Sequence, residues 1–348
     1  MDNFNLDSLV RPNIRKLKAY SSARGEFQGN GDKMMLLDAN ESPFENGLNR
    51  YPDPQHRGLR ARLSEIKNIS EENILLGNGS DELISLFFNA FCQPREDNVI
   101  VLPPTFGMYE VQANISDIEL KKVNLSEDFQ PKVDAILEAS NANTKMLFIC
   151  SPNNPTGNSI EIQKIEELLS QFKGLVVIDE AYIDFSNQPS WLQRLKEFPN
   201  LIIIQTLSKA YGLAGIRLGM CYASKEIIEV LNRIKLPYNI NSLTQKKALS
   251  KLENLPLIQE KIGRLLEGRE FVMDQLLKMD CITKVYPSDA NFILVQFDDA
   301  DTRYKELIAK GIVVRNRSTQ SGCSSTLRLT IGTREENIVL IKALKELI

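Results

Sequence analysis

Thr206-Leu-Ser-Lys-Ala-Tyr-Gly-Leu-Ala-Gly-Ile-Arg217 places a lysine where structure alone has little use for one. The segment follows Leu201-Ile-Ile-Ile204, an unbroken apolar run that reads as a buried strand. Such a strand ordinarily ends in a turn of small residues. Here it ends in the hydroxyls Thr206 and Ser208, then Lys209, then Gly212, Ala214 and Gly215, then Arg217. Two hydroxyls and an arginine around one lysine suit a bound phosphate group. A lysine beside a phosphate on an aldehyde cofactor points to a Schiff base with pyridoxal phosphate.

Two other apolar runs end in polar signatures at corresponding places. Met146-Leu-Phe-Ile149 leads to Ser151-Pro-Asn-Asn-Pro-Thr-Gly157, and Leu175-Val-Val-Ile178 leads to Asp179-Glu-Ala-Tyr182. Asp179 alone reads as a helix N-cap as readily as anything else. As a poorly solvated carboxylate it can also pair with the pyridine nitrogen and keep it protonated, which makes the ring an electron sink. Asn154 and the Tyr182 hydroxyl can serve the ring's phenolic oxygen, although Asn-Pro-Thr-Gly by itself is an ordinary turn. In Gly77-Asn-Gly-Ser-Asp-Glu82, Ser80 reads as the cap of the helix beginning near Asp81, and the free backbone N–H groups of that helix start can bind a phosphate at the same time. Phe106 is a core aromatic or a ring stacked on the flat face of a cofactor. Tyr51 sits in the Pro-rich loop Arg50-Tyr-Pro-Asp-Pro54, idle or reaching a neighbouring subunit. Arg315 and Arg328 lie in short apolar strands, facing solvent or awaiting the carboxylate or phosphate of a substrate.

These residues need a scaffold that gathers them. From about residue 70 to 220 helical and strand patterns alternate, with Leu83, Leu86, Phe87, Ala90 and Phe91 at helical spacing before the strand-like 98–102. That alternation predicts a largely parallel sheet covered on both faces, whose ligands collect beyond the carboxyl ends of the strands. Beyond Pro237 the pattern changes. An amphipathic stretch over 256–279 precedes short strands near 291–296, 312–315 and 326–331 and a helix from Arg334, which reads as a smaller α+β unit. The expected division is an arm over 1–32, a large domain over 33–238 and a small domain over 239–348 that packs with the arm.

Composition excludes competing chemistries. The 348 residues carry 42 basic and 45 acidic side chains without blocks, which argues against a nucleic-acid surface. No apolar run approaches bilayer length and no signal segment opens the chain, so a cytoplasmic location is expected. Five scattered cysteines without a C-x-x-C pair read as buried free thiols in a reducing compartment. One histidine, His56, leaves little for a histidine-based metal site or a serine–histidine hydrolase, and no metal is expected.

Taken together, S-P-N-N-P-T-G, D-E-A-Y, T-L-S-K-A-Y-G-L-A-G-I-R and the late arginine strand resemble the fold-type I pyridoxal-phosphate aminotransferases. The 11–20 segment, Leu37-Asp-Ala-Asn-Glu-Ser-Pro43, R-Y-P-D-P, P-P-T-F-G-M-Y and the 322–334 segment narrow the resemblance to the histidinol-phosphate branch, over nearly the whole length. The resemblance implies an α/β fold with a mostly parallel sheet, a homodimer with sites at the subunit interface, and amino transfer between glutamate and imidazole acetol phosphate. It assigns Lys209 to the covalent link, Asp179 to the ring nitrogen, Asn154 and Tyr182 to the phenolic oxygen and Phe106 to stacking. Ser80, Asp81, Thr206, Ser208 and Arg217 would hold the cofactor phosphate, with Tyr51 arriving from the other subunit. Tyr20, Arg315, Arg328 and Asn154 would face the substrate. Many relatives have tyrosine where this chain has Phe106, a change that keeps the stacking and loses the hydroxyl. The same cofactor residues would serve an aromatic aminotransferase or a phosphothreonine decarboxylase. A non-catalytic cofactor-binding regulator would carry a DNA-binding domain ahead of this fold, for which the short arm leaves no room.

Overall fold

In the computed structural model, which describes residues 4–18, 20 and 35–347, the apolar runs form the sheet that their patterning predicts. The strands are β1 (Ile74–Asn78), β2 (Asn98–Val101), β3 (Glu119–Lys122), β4 (Thr144–Cys150), β5 (Leu175–Asp179), β6 (Leu201–Thr206) and β7 (Leu218–Ala223). They make one seven-stranded sheet in the order β1-β7-β6-β5-β4-β2-β3. The pairs β2–β3, β2–β4, β4–β5 and β5–β6 are parallel. β7 runs antiparallel to both of its neighbours.

Side chains alternate across a strand, so a run that is apolar throughout must have both faces covered. Val176, Ile178 and Ile203 face one apolar cluster with Leu59, Leu63, Leu168 and Leu252 of the covering helices. Leu175, Val177 and Ile204 face another with Leu83, Phe87, Ile227 and Leu231. β3, Glu119-Leu-Lys-Lys122, is polar because it is an edge strand, where charge discourages pairing with another chain.

A second sheet, antiparallel throughout, runs in the order β10-β11-β9-β8. Its strands are β8 (Ile282–Val285), β9 (Phe292–Phe297), β10 (Arg315–Asn316) and β11 (Thr326–Thr330). The helices Leu255–Leu276, Ala300–Ala309 and Arg334–Lys345 cover it through Val272, Leu276, Leu307 and Leu340. The strand expected over 312–315 is shorter and later than its pattern suggested. Gly311 at φ 78° closes the preceding helix, and the Ile312 N–H donates to the Leu307 carbonyl, so this backbone is spent on the helix end.

The two sheets meet where the polar strand ends lie. Tyr182, Phe185 and Ala210 of the first pack against Ile258, Ala290 and Phe292 of the second. The Asp289 N–H donates to the Gly157 carbonyl at 2.7 Å, and the Asp289 carboxylate accepts from the Ser159 N–H at 3.1 Å. A Cβ on Gly157, whose φ is 84°, would come within 2.7 Å of the Ser288 hydroxyl. That approach seats the S-P-N-N-P-T-G turn directly beneath the small sheet.

Candidate active site

Asp179 is the last residue of β5 and only 3% exposed. Its Oδ2 accepts the Tyr109 hydroxyl at 2.8 Å and its Oδ1 accepts the Ala181 N–H at 3.0 Å. Burial pushes the carboxyl above the ordinary aspartate range, while those two donors and the Lys209 amine pull it back. Tyr109 is itself fully buried, stacked on Phe148 with ring centroids 4.7 Å apart. Phe106 meets it edge-on at 5.6 Å, so the aromatic expected to stack and the one that supports the carboxylate pack together. Tyr109 was not a candidate from sequence, because within a helix it reads as one more core aromatic.

Lys209 lies in the turn after β6 and is accessible, with its amine 5.7 Å from the centre of the Tyr182 ring. Partial burial lowers its pKa below the usual lysine value; Arg328 lowers it further, and Asp179 opposes the shift. Among the described residues it has no ion-pair partner within 4 Å. Asn154 stands between the two sheets. Its amide donates to the Tyr182 hydroxyl at 3.5 Å, and its Oδ1 accepts from Nη1 of Arg328 on β11. Burial raises the Tyr182 phenol, so at neutral pH it is a hydroxyl able to donate or accept. Asn153 locks the neighbouring turns: its amide donates to the Pro104 carbonyl and Thr156 Oγ1, each at 2.8 Å, and its Oδ1 accepts the Thr105 hydroxyl at 3.0 Å.

A second group surrounds the start of the helix Ser80–Phe91. Gly79, not Ser80, occupies the N-cap at φ 78°, so the expected serine cap gives way to a bare backbone terminus. Any side chain at Gly79 would place its Cβ 2.6 Å from the Arg217 guanidinium, and one at Gly219 would meet the Gly79 and Ser80 backbone at 2.6 Å. Gly79 thus leaves room for Arg217 over the helix terminus, and Gly219 lets β7 pass against that terminus. Arg217 also contacts Asp81 at 3.3 Å. Thr206 Oγ1 lies 3.0 Å from the Ser208 hydroxyl and accepts the Ser208 N–H at 3.1 Å, presenting both hydroxyls on the turn that carries Lys209.

The structure therefore gathers an amine, a buried carboxylate, an amide and a phenol on one side, and a guanidinium, two hydroxyls and a free helix terminus on the other. An aldehyde, a ring nitrogen, a phenolic oxygen and a phosphate would each meet the matching group, so the donor set fits a phosphorylated pyridine aldehyde. Arg315 pairs in register with Arg328 but is exposed. Tyr51 is 52% exposed and stacks on Tyr238 at 4.5 Å, and Tyr20 is exposed. No hydrogen bond or ring contact among the described residues joins either tyrosine to the Lys209 group. Of the arm expected over 1–32, residues 1–3, 19 and 21–32 lie outside the described part.

Residues 33–344 match the model of the family described as aminotransferase class I and II. A histidinol-phosphate aminotransferase of Flavobacterium johnsoniae is 56% identical over 346 residues, covering 99% of each chain. The solved histidinol-phosphate aminotransferase of Clostridium acetobutylicum superposes with a TM-score of 0.80 at 26% identity, over 86% of this chain and 91% of that one. That of Sinorhizobium meliloti, in complex with pyridoxal-5'-phosphate, has a TM-score of 0.78 over 85% of this chain and 82% of its own; at 21% identity it speaks for the fold alone.

Proposed function

The chain belongs to the class I and II aminotransferase family, and from that premise we propose that it is a pyridoxal-phosphate-dependent histidinol-phosphate aminotransferase. It moves an amino group reversibly between L-glutamate and imidazole acetol phosphate, yielding 2-oxoglutarate and L-histidinol phosphate. The observation that carries this reading is the chain of contacts from Lys209 through Tyr182 and Asn154 to Arg328 across the two sheets, with the buried Asp179 within electrostatic reach of the lysine.

Lys209 would hold the aldehyde, Asp179 the ring nitrogen, Asn154 and Tyr182 the phenolic oxygen, and Phe106 a face of the ring. Ser80, Asp81, Thr206, Ser208 and Arg217 would hold the phosphate. When bound, pyridoxal phosphate supplies a sink for the electron pair left on the substrate's α-carbon when its proton departs. The chain's own residues do the rest. The lowered pKa of Lys209 enlarges the fraction of neutral amine that can accept that proton and later release it. Burial works against the charged form of Asp179, and the Tyr109 hydroxyl and the Ala181 N–H, which donate to its two oxygens, favour it. Tyr182 and Asn154 brace each other beside the lysine and keep the turn after β4 close to Arg328. Arg328, lying 5.1 Å over the Phe292 ring, offers a fork to a carboxylate of glutamate or to a phosphate of the other substrate.

A second copy of the chain completes the site. Tyr51 and the exposed Leu48 and Leu243 line one open groove of about 470 Å³. A facing subunit would cover these apolar side chains and receive Tyr51 near its own cofactor phosphate. Among the described residues no helix is long and apolar enough to cross a membrane, and all five cysteines are buried and unpaired, which favours the reducing cytoplasm.

The visible spectrum of the purified protein tests the reading. L-glutamate is expected to shift the cofactor band and imidazole acetol phosphate to restore it. Restoration by phenylpyruvate alone would move the substrate to the aromatic class, and carbon dioxide release from phosphothreonine would make the protein a decarboxylase. A protein that sediments as a monomer would remove the shared-site part.

A further inference from the structure

Resting on that substrate, we infer that Arg317 is a third anion-binding arginine of the cleft and selects a doubly charged phosphomonoester over a carboxylate. Arg315 and Arg328 face each other in the β10–β11 register. The ladder continues one step further, since the Arg317 N–H donates to the Thr326 carbonyl at 2.9 Å. Residues two apart on a strand share a face, so 315 and 317 lie on the side of the small sheet that carries 328. Asn316 points the other way and spends its amide on Asp301. The acid on the neighbouring helix is thus turned away from the arginines.

The Arg317 side chain is half-buried and has no hydrogen bond among the described residues; its Nε and that of Arg328 are both shut off from water and unpartnered. Neither guanidinium has a carboxylate within ion-pair distance among those residues. Burial lowers the pKa of both, and each lies within electrostatic reach of the other and of Tyr182. Unpaired cations of one sign on one face are costly unless an anion compensates them. A carboxylate brings one charge and fills one fork, which Arg328 provides. A phosphate dianion brings about two charges and three acceptor oxygens, enough to engage a second guanidinium. The extra arginine therefore favours the phosphate-bearing partner of the exchange and adds little for glutamate.

The test compares Arg317→Gln and Arg317→Lys with wild-type holoenzyme on L-histidinol phosphate, L-histidinol and L-glutamate, reading KM and kcat separately. For Arg317→Gln we expect KM for histidinol phosphate to rise about 10- to 100-fold, the range for a lost hydrogen bond to a charged group. KM for histidinol and for glutamate should change by less than about 3-fold, since neither offers a phosphate to lose. The lysine variant, keeping charge without the fork, should fall between. An intact glutamate half-reaction shows that the variant is folded. Equal losses on all three substrates, or no loss on histidinol phosphate, overturns the assignment. A wild-type enzyme inactive on histidinol phosphate brings down the proposed substrate and this inference with it, whereas an active wild type beside unchanged variants sinks only the role of Arg317.

Discussion

The two sheets treat charge in opposite ways where they meet. At the carboxyl end of β5, Asp179 is almost completely buried, yet both of its oxygens have donors and an amine lies nearby. On the small sheet, Arg315, Arg317 and Arg328 share one face and, among the described residues, have a single side-chain hydrogen bond between them, from Arg328 to Asn154. The first arrangement is satisfied within the chain and suits a resident group held in one orientation. The second is left unsatisfied, as suits a group that arrives and leaves with each turnover. A carboxylate prepared from within and cations awaiting an outside anion differ in which partner the fold itself provides.

Three substitutions probe that contrast. Lys209→Ala should have the largest effect, because it removes the proton carrier and leaves the surrounding donors in place. Turnover in a coupled assay should fall by about 10³-fold or more, with pyridoxal phosphate still retained on gel filtration. Sustained multiple turnover in that variant would end the proposed role.

Arg328→Ala should raise KM for glutamate and for histidinol phosphate together, by about 10- to 100-fold, as expected for a lost charge-assisted bond. A loss confined to one substrate would mean that the arginines divide the anions more strictly than the shared fork implies.

Tyr109→Phe should act more gently, through Asp179. Its hydroxyl holds the carboxyl's pKa down against burial, so removing it raises that pKa further. An acid with a raised pKa binds more protons folded than unfolded, and stability then falls as pH rises from the unfolded value of about 3.9 through the folded one. The variant should widen that window, lose about 1–3 kcal/mol of stability at neutral pH and move the acid limb of kcat/KM upward. Denaturant titration across pH and a pH–rate profile would show it. A loss of stability with an unmoved acid limb would make Tyr109 a packing residue only.

Much of the site was legible before any fold was known, because a polar residue that ends an apolar strand stands out. Lys209, Asp179 and Asn154 all follow runs of that kind, and the structure brings them together. β1 and β7 were harder to see. Gly77 and Gly219 interrupt their apolar patterns, and the reason for Gly219 appears only where β7 passes within 2.6 Å of the Gly79–Ser80 backbone, measured from an added Cβ. Tyr109 was hidden among core aromatics, and Arg317 lies just past the apolar run that ends at Arg315, with no pattern of its own to mark it. Gly79 as helix cap could not be told from Ser80, since either residue type is common at that position.

What the amino-acid order decided by itself is local: which runs are covered on both faces, where each stops, and which reactive side chain stands at the stop. Alternation and solvation act over a few neighbouring residues, so their marks survive in the linear chain. Which stops converge was decided by tertiary packing alone. Tyr109 reaches Asp179 across 70 positions, and Arg328 reaches Asn154 across 174. Charge compensation depends on separation in space, and that separation exists only once the small sheet has settled against the large one.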